Sequence, residues 1–231
     1  MGRVDGSRMG VGMKLIGMLD SPYVRRVAIA LESLRVPFEH EAVSVFSTFE
    51  KFQRINPVVK APTLICDDGE VVMDSSLILQ LVEATRTGGR SLWPSAPPEL
   101  QHAFRAVGLA LAACEKSVQM VYEKNLRPAS AQYEPWLARV RGQLLAAYAG
   151  LEQEIGKRET LFGGLTHASI AGAVAWQFTQ SELAAVVPAG EHPRLARLSE
   201  RMESLPEFRK YPPVGPGVQA ANHSQPARRP D

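Results

Sequence analysis

The character of the chain changes abruptly near residue 88. Before it, short β-like runs alternate with helical patterns; beyond Gly88-Gly89 and the segment Trp93-Pro94-Ser95-Ala96-Pro97-Pro98, only helical periodicity remains. Such a shift across a Gly- and Pro-rich stretch marks a domain boundary with a linker. We therefore expect an α/β unit over residues 13–87, a linker over 88–98 and an all-helical unit over 99–212. Residues 1–12 and 213–231 have no apolar period and are expected to be disordered ends, with Met13 at the opening of the first strand as a candidate true start. At 231 residues, 45% of them apolar, the chain can bury a good core as one large domain or as two small ones.

In the first unit the patterns predict strand 13–19, helix 22–35, strand 38–44, a short helical segment 47–54, strand 62–66, a turn at Asp67-Asp68-Gly69, strand 70–73 and helix 75–86. A strand, a crossover helix and a second strand imply a parallel pair, and Asp68-Gly69 between two apolar runs signals a hairpin that adds antiparallel strands. The outcome is a mixed four-stranded sheet of thioredoxin-like topology. The helix from residue 22 carries Val24, Val27, Ala28, Leu31 and Leu34 on one face, which leaves Arg25, Arg26, Glu32 and Arg35 for the other.

The second unit reads as a helical bundle. Phe104, Val107, Leu111, Cys114, Val118 and Val121 form one stripe, and Leu137, Val140, Leu144, Tyr148, Leu151 and Ile155 a second; Leu195, Leu198, Met202 and Leu205 form a third. Between the last two lies a helix apolar almost all round, from Ile170 to about Phe178, which belongs at the centre of the bundle.

Several function classes are disfavoured by composition. The net charge is +2 with acidic and basic residues interleaved, so nucleic acid has no electrostatic footprint to meet. The apolar stretches are too short for a bilayer, and the first dozen residues lack the apolar core of a secretory signal. Two cysteines, Cys66 and Cys114, give neither a disulfide framework nor metal-ligand spacing, which points to a reducing cytoplasm and no metal. Cys66 falls in a predicted strand and Cys114 on an apolar helix face, so both are expected to be buried and inert. His40, His102, His167 and His192 fit solvated or capping positions.

Three local motifs bear chemistry. Ser21-Pro22 stands where a strand ends and a helix begins: Ser is a favoured N-cap and Pro is tolerated at the first helical position. The free N–H groups there suit an anion, although the same residues also serve as a plain cap. Asn56-Pro57-Val58-Val59-Lys60-Ala61-Pro62-Thr63-Leu64 puts a proline at the entry to a strand. A cis bond before Pro62 would leave Ala61 free to pair with an extended peptide; a simple turn is the alternative. Asp74-Ser75-Ser76 opens a further amphipathic helix, either as a cap or as a seat for a carboxylate.

Taken in order, Ser21-Pro22-Tyr23-Val24-Arg25-Arg26-Val27, Lys60-Ala61-Pro62-Thr63-Leu64 and Asp74-Ser75 resemble the glutathione-binding domain of the cytosolic glutathione transferases, and the resemblance is to bacterial serine-type members over about residues 13–211. Thr166-His167-Ala168-Ser169 stands where that family has a capping box ending in aspartate. Serine there is expected to reach back less well, at a loss on the order of 1 kcal/mol. Val59 replaces a frequent glycine, and a β-branched residue disfavours positive φ, so that turn is expected to differ.

The resemblance implies that Ser21 stabilises the glutathione thiolate, that Ala61 pairs with the cysteinyl unit with Pro62 in cis, and that Asp74 and Ser75 hold the γ-glutamyl group. Lys60 is either a contact for the glycyl carboxylate or a solvated lysine. Tyr23, one residue past Pro22, is expected to pack rather than activate. A second-substrate pocket would draw on Leu19, Glu115, Val118, Gln119 and Tyr122, with Trp176 a further candidate. The implied activity is conjugation of glutathione, as co-substrate, to a small apolar electrophile by a cytoplasmic homodimer with a detoxifying role. A non-catalytic, transferase-like binding or stress-response protein is the alternative.

Overall fold

The computed structural model describes residues 12–218. The expected N-terminal extension before Gly12 and the tail beyond residue 218 lie outside the described residues. The first unit runs β1 (Lys14–Ile16), α1 (Pro22–Ser33), β2 (Glu39–Glu41), α2 (Phe49–Ile55), β3 (Thr63–Ile65), β4 (Val71–Met73) and α3 (Ser75–Thr85). The sheet order is β2-β1-β3-β4. β1 lies parallel to β2, with Leu15 opposite His40, and antiparallel to β3, with Leu15 opposite Leu64; β3 and β4 are antiparallel. The mixed four-stranded sheet is as the patterns predict, with strands shorter than the apolar runs.

β1 stops early because of Gly17, which has φ 142°. A Cβ at Gly17 would lie 2.6 Å from Val24 Cγ2, so only glycine lets the strand end pass this close to α1. That close passage brings the start of α1 to the cleft described below.

α1 is covered on both sides, by the sheet and α3 on one hand and by the helical unit on the other. Every residue from Val24 to Leu31 is buried, Arg25 and Arg26 included, which corrects their expected solvent-facing place. The helix has no free face to offer because Ala28, Ile29, Ala30 and Leu31 follow one another without a polar break. Arg25 is tolerated inside because its guanidinium is fully partnered. Nε donates to Tyr211 O at 2.8 Å, the two Nη atoms donate to the Glu203 carboxylate at 2.6 Å each, and Phe208 lies under the charge at 5.4 Å.

The second unit comprises α4 (Pro97–Leu126), which begins inside the expected linker, then α5 (Glu134–Lys157), α6 (His167–Leu183), α7 (Pro193–Glu203) and α8 (Pro206–Lys210). α6 is buried without interruption from His167 to Trp176 and packs against α1, α4 and α7, so it is the centre of the bundle as expected. A buried polar chain ties three helices: Ser117 and Tyr148 both bond Thr179 Oγ1, at 2.7 and 2.6 Å, and the Tyr148 hydroxyl lies 2.9 Å from Ala175 O.

The N-cap of α6 differs from expectation. The Thr166 Oγ1 accepts from Ser169 N–H at 3.1 Å, and Ser169 Oγ accepts in return from Thr166 N–H at 2.9 Å, so the box is complete with serine in place of aspartate. The serine hydroxyl also donates to Gly164 O at 2.6 Å, a bond a carboxylate could not make.

Two histidines are likewise not solvated. His167 is buried under Trp93, with ring centroids 4.3 Å apart, and its Nε2 lies 3.2 Å from Glu83 Oε1 on α3. The same carboxylate oxygen accepts from Leu92 N–H at 2.9 Å, and Oε2 accepts from Arg86 Nε at 2.9 Å. One acidic side chain thus joins the linker and both units. Burial pushes the Glu83 carboxyl up, but the bonds from His167, Leu92 and Arg86 outweigh it and hold it at about 2. His192 is buried beside Trp176 and Tyr148, and neither of its ring nitrogens has a hydrogen-bond partner among the described residues. His40 is half-buried and its Nε2 lies 2.8 Å from Gly17 O.

Residues 213–218, expected in the disordered tail, run back toward the start of α1. Gly217 N–H donates to Asp20 Oδ2 at 2.9 Å, and Val218 packs against the core.

Candidate functional site

A cleft of about 940 Å³ opens where the two units meet. On one wall stand the three motifs from the first unit. On the other is α4, with the C-terminal half of α6 and residues 217–218 closing the end.

Ser21 is the N-cap of α1, in extended conformation, and Pro22 holds the first helical position. Its Oγ accepts from Val24 N–H at 3.5 Å, at the outer limit of a hydrogen bond. Ser21 is half-buried and lines the cleft, so its hydroxyl is only weakly committed to the cap and stands beside the positive end of α1.

The turn before β3 is held from several directions. Asn56 Oδ1 accepts from Val58 N–H at 3.0 Å, its Nδ2 donates to Thr63 Oγ1 at 2.9 Å, and Val59 N–H donates to Asn56 O at 2.9 Å. Under these restraints Val59 adopts φ 53°. The β-branched residue takes positive φ in spite of its preference and bears the strain, on the order of 1–3 kcal/mol. The Ala61-Pro62 bond is cis, as the sequence suggests. The register of β1 with β3 ends at Ile16 opposite Thr63, which leaves Ala61 beyond the ladder at the cleft wall. Lys60 is exposed at the same wall, and its carbonyl accepts from the Thr63 hydroxyl at 2.7 Å.

Asp74 caps α3 with φ 75°, its Oδ1 accepting from Ser76 N–H at 2.9 Å. Ser75 beside it is buried, and here the structure adds a residue that sequence reasoning missed. Arg26 Nη1 donates to Ser75 Oγ at 3.1 Å and lies 3.3 Å from Ser76 Oγ, so a buried guanidinium on α1 fixes the first turn of α3. Burial lowers its pKa, with Asp74 among the groups that oppose this.

Tyr23 also lines the cleft and is half-buried. Burial, then the nearby Cys114 and Glu115, push its phenol far above the ordinary tyrosine value, and its ring packs against the core. Cys114 is buried and raised to about 12. Cys66 is only half-buried, just past β3, which corrects its expected burial in the strand; its thiol is raised by burial and by Asp68, Asp67 and Glu70. Neither sulfur has the low pKa of a reactive cysteine.

Of the second-pocket candidates, Glu115, Val118, Gln119 and Tyr122 all line the cleft from α4. Leu19 and Trp176 do not. Leu19 packs against the core one residue away from the lining residues Met18 and Asp20, and Trp176 is buried against Tyr148 and His192. The sequence reading missed Phe46, Phe178 and Glu182, which face the cleft because the loop after β2 and the end of α6 converge there. Among the described residues no His, Cys, Asp and Glu group gathers to hold a metal ion, and no helix is long and apolar enough to cross a membrane.

Residues 15–90 match the family model of the glutathione S-transferase N-terminal domain. The chain is 27% identical to an uncharacterised GST-like protein, YibF, of Escherichia coli, over 87% of this chain and 98% of that protein. A glutathione S-transferase of Methylobacterium radiotolerans, crystallised with glutathione sulfonate, is 30% identical with TM-score 0.82, over 90% of this chain and 97% of its own. A glutathione transferase family member of Pseudomonas fluorescens, with bound S-(propanoic acid)-glutathione, is 25% identical with TM-score 0.75, over 89% and 100%. With the thioredoxin-like unit, the helical bundle and the conjunction of Ser21, Ala61-Pro62 and Asp74-Ser75 in one cleft, the chain belongs to the cytosolic glutathione S-transferase superfamily.

Proposed function

We propose that this protein binds glutathione in the cleft and, as a serine-type transferase, conjugates its sulfur to a small apolar electrophile. The observation that carries the reading is the Ser21 hydroxyl, held at the positive end of α1 by a cap bond of only 3.5 Å and facing the same cleft as Ala61, Asp74 and Ser75. The relatives crystallised with glutathione sulfonate and with S-(propanoic acid)-glutathione support the ligand.

In this reading the Ser21 hydroxyl donates to the sulfur, and the N-terminal end of α1 adds the partial positive charge of its dipole. A thiol of pKa about 8.5 is mostly protonated near neutral pH, and each unit of lowering stabilises the thiolate by about 1.4 kcal/mol. Attack by the thiolate on an electrophilic carbon forms the C–S bond as the leaving group departs, and serine forms no covalent intermediate. Ala61 pairs its main chain with the cysteinyl unit. Asp74 receives the γ-glutamyl ammonium, the Ser75 turn receives its carboxylate, and Lys60 meets the glycyl carboxylate. The protein is proposed to act as a cytoplasmic homodimer in detoxification.

The test is calorimetric titration with glutathione, then turnover against a panel of electrophiles in wild type and Ser21→Ala. The reading predicts binding, turnover and a rate loss of about 10- to 100-fold in the variant, the worth of one hydrogen bond to a charged group. Failure to bind glutathione overturns it, and binding without turnover leaves the transferase-like binding role.

A further inference from the structure

The second half of the cleft carries a charge pattern that its apolar character conceals. Its walls include Phe46 and Tyr122, edge to face with ring centroids 5.5 Å apart, and Phe178. Besides Asp74, three carboxylates line the cleft: Asp20, whose charge acts on the Tyr122 phenol, Glu115, one turn before Val118 and Gln119 on α4, and Glu182, one turn beyond Phe178 on α6. Lys60, on the glutathione wall, is the one Lys or Arg that lines the cleft among the described residues. Glu115 is partly neutralised by Lys116 Nζ at 2.8 Å, whereas Asp20 and Glu182 have no cationic partner among the described residues. The Tyr122 phenol is raised by burial and by Asp20, so it adds a neutral ring and no countercharge.

A second, independent feature points the same way. Gln119 lines this half, its Nε2 donates to Glu115 Oε1 at 3.0 Å, and its Oε1 is buried with no hydrogen-bond partner among the described residues. A buried acceptor left unpaired costs about 1–3 kcal/mol, which a ligand donor would recover once a rotation of the Gln119 side chain opens Oε1 to the cleft. Aromatic faces and carboxylates together favour a cation or an N–H donor and disfavour an anion.

We infer that the electrophile pocket selects an aromatic group that is neutral or cationic and bears a hydrogen-bond donor, and rejects one bearing a carboxylate. This rests on glutathione occupying the adjoining wall, and it concerns which conjugates fit beside it.

The experiment measures binding of glutathione, S-benzylglutathione, S-(4-carboxybenzyl)glutathione and S-(4-aminomethylbenzyl)glutathione to the full chain by calorimetry, and so does not depend on turnover. The 4-carboxy conjugate is expected to bind at least about tenfold more weakly than S-benzylglutathione, and the 4-aminomethyl conjugate at least as tightly as it. The difference shrinks at high salt and in the Glu115→Gln, Glu182→Gln double variant. Equal affinity of the carboxy and benzyl conjugates, or a difference that salt and the double variant leave unchanged, overturns the inference while glutathione binding stands. No binding of glutathione itself removes the functional reading and the inference together.

Discussion

Arg26 Nη1 donates to Ser75 Oγ across 3.1 Å, joining the helix capped by Ser21 to the helix capped by Asp74. The two helix N-termini that face the cleft are therefore not independent. A guanidinium buried between them sets their spacing and puts positive charge behind the proposed seat of a carboxylate.

Replacing Arg26 with Met keeps much of the buried volume and removes both the charge and the bonds to the serines. Glutathione affinity is expected to fall about tenfold, with a larger effect on KM than on kcat, because the loss falls on ligand seating and not on the sulfur. Calorimetry and steady-state kinetics, with circular dichroism to verify folding, check this.

Arg25 points the other way, and its role is structural. Arg25→Met strands the Glu203 carboxylate and Tyr211 O, and is expected to cost about 3 kcal/mol. Urea unfolding should show a lower midpoint, while glutathione affinity in the folded variant stays near the wild-type value.

The capping motifs were readable because a cap is local: Ser21-Pro22, Asp74-Ser75 and Thr166 each announce a helix start from a few adjacent residues. The sheet order followed from one crossover and one hairpin. Burial of Arg25, Arg26, His167 and His192 was not readable in the same way, since it depends on what the other unit lays over α1 and α6. Periodicity assigned the arginines to water because it assumes one wet face, and α1 has none. Leu19 and Trp176 failed as pocket residues for the same reason, because a neighbour in sequence to the cleft can still point into the core.

The capping box on α6 is complete with serine, so Ser169→Ala and Thr166→Ala are each expected to cost about 1–2 kcal/mol. Thermal unfolding monitored by circular dichroism reads this directly. A cost below about 0.3 kcal/mol would mean that the reciprocal bonds add nothing.

Acid should destabilise the protein in two stages. His167 has its pKa lowered by burial, partly opposed by Glu83, so the folded state favours the neutral ring and stability declines as pH falls below about 6.5. Glu83 is held at about 2, below its unfolded value, so its contribution is intact above about pH 4.5 and is lost as pH falls toward 2. In Glu83→Gln the lower stage flattens, and stability near neutral pH drops by roughly 2 kcal/mol. Denaturant titrations from pH 3 to 8 test both signs.

Ultraviolet difference titration of the glutathione complex measures the pKa of the bound thiol in wild type and in Ser21→Ala. If Ser21 holds the thiolate, the bound thiol lies at least about one unit below the free one and moves back toward it in the variant. A bound thiol with an unshifted pKa, or one whose lowering survives the loss of the Ser21 hydroxyl, would contradict it.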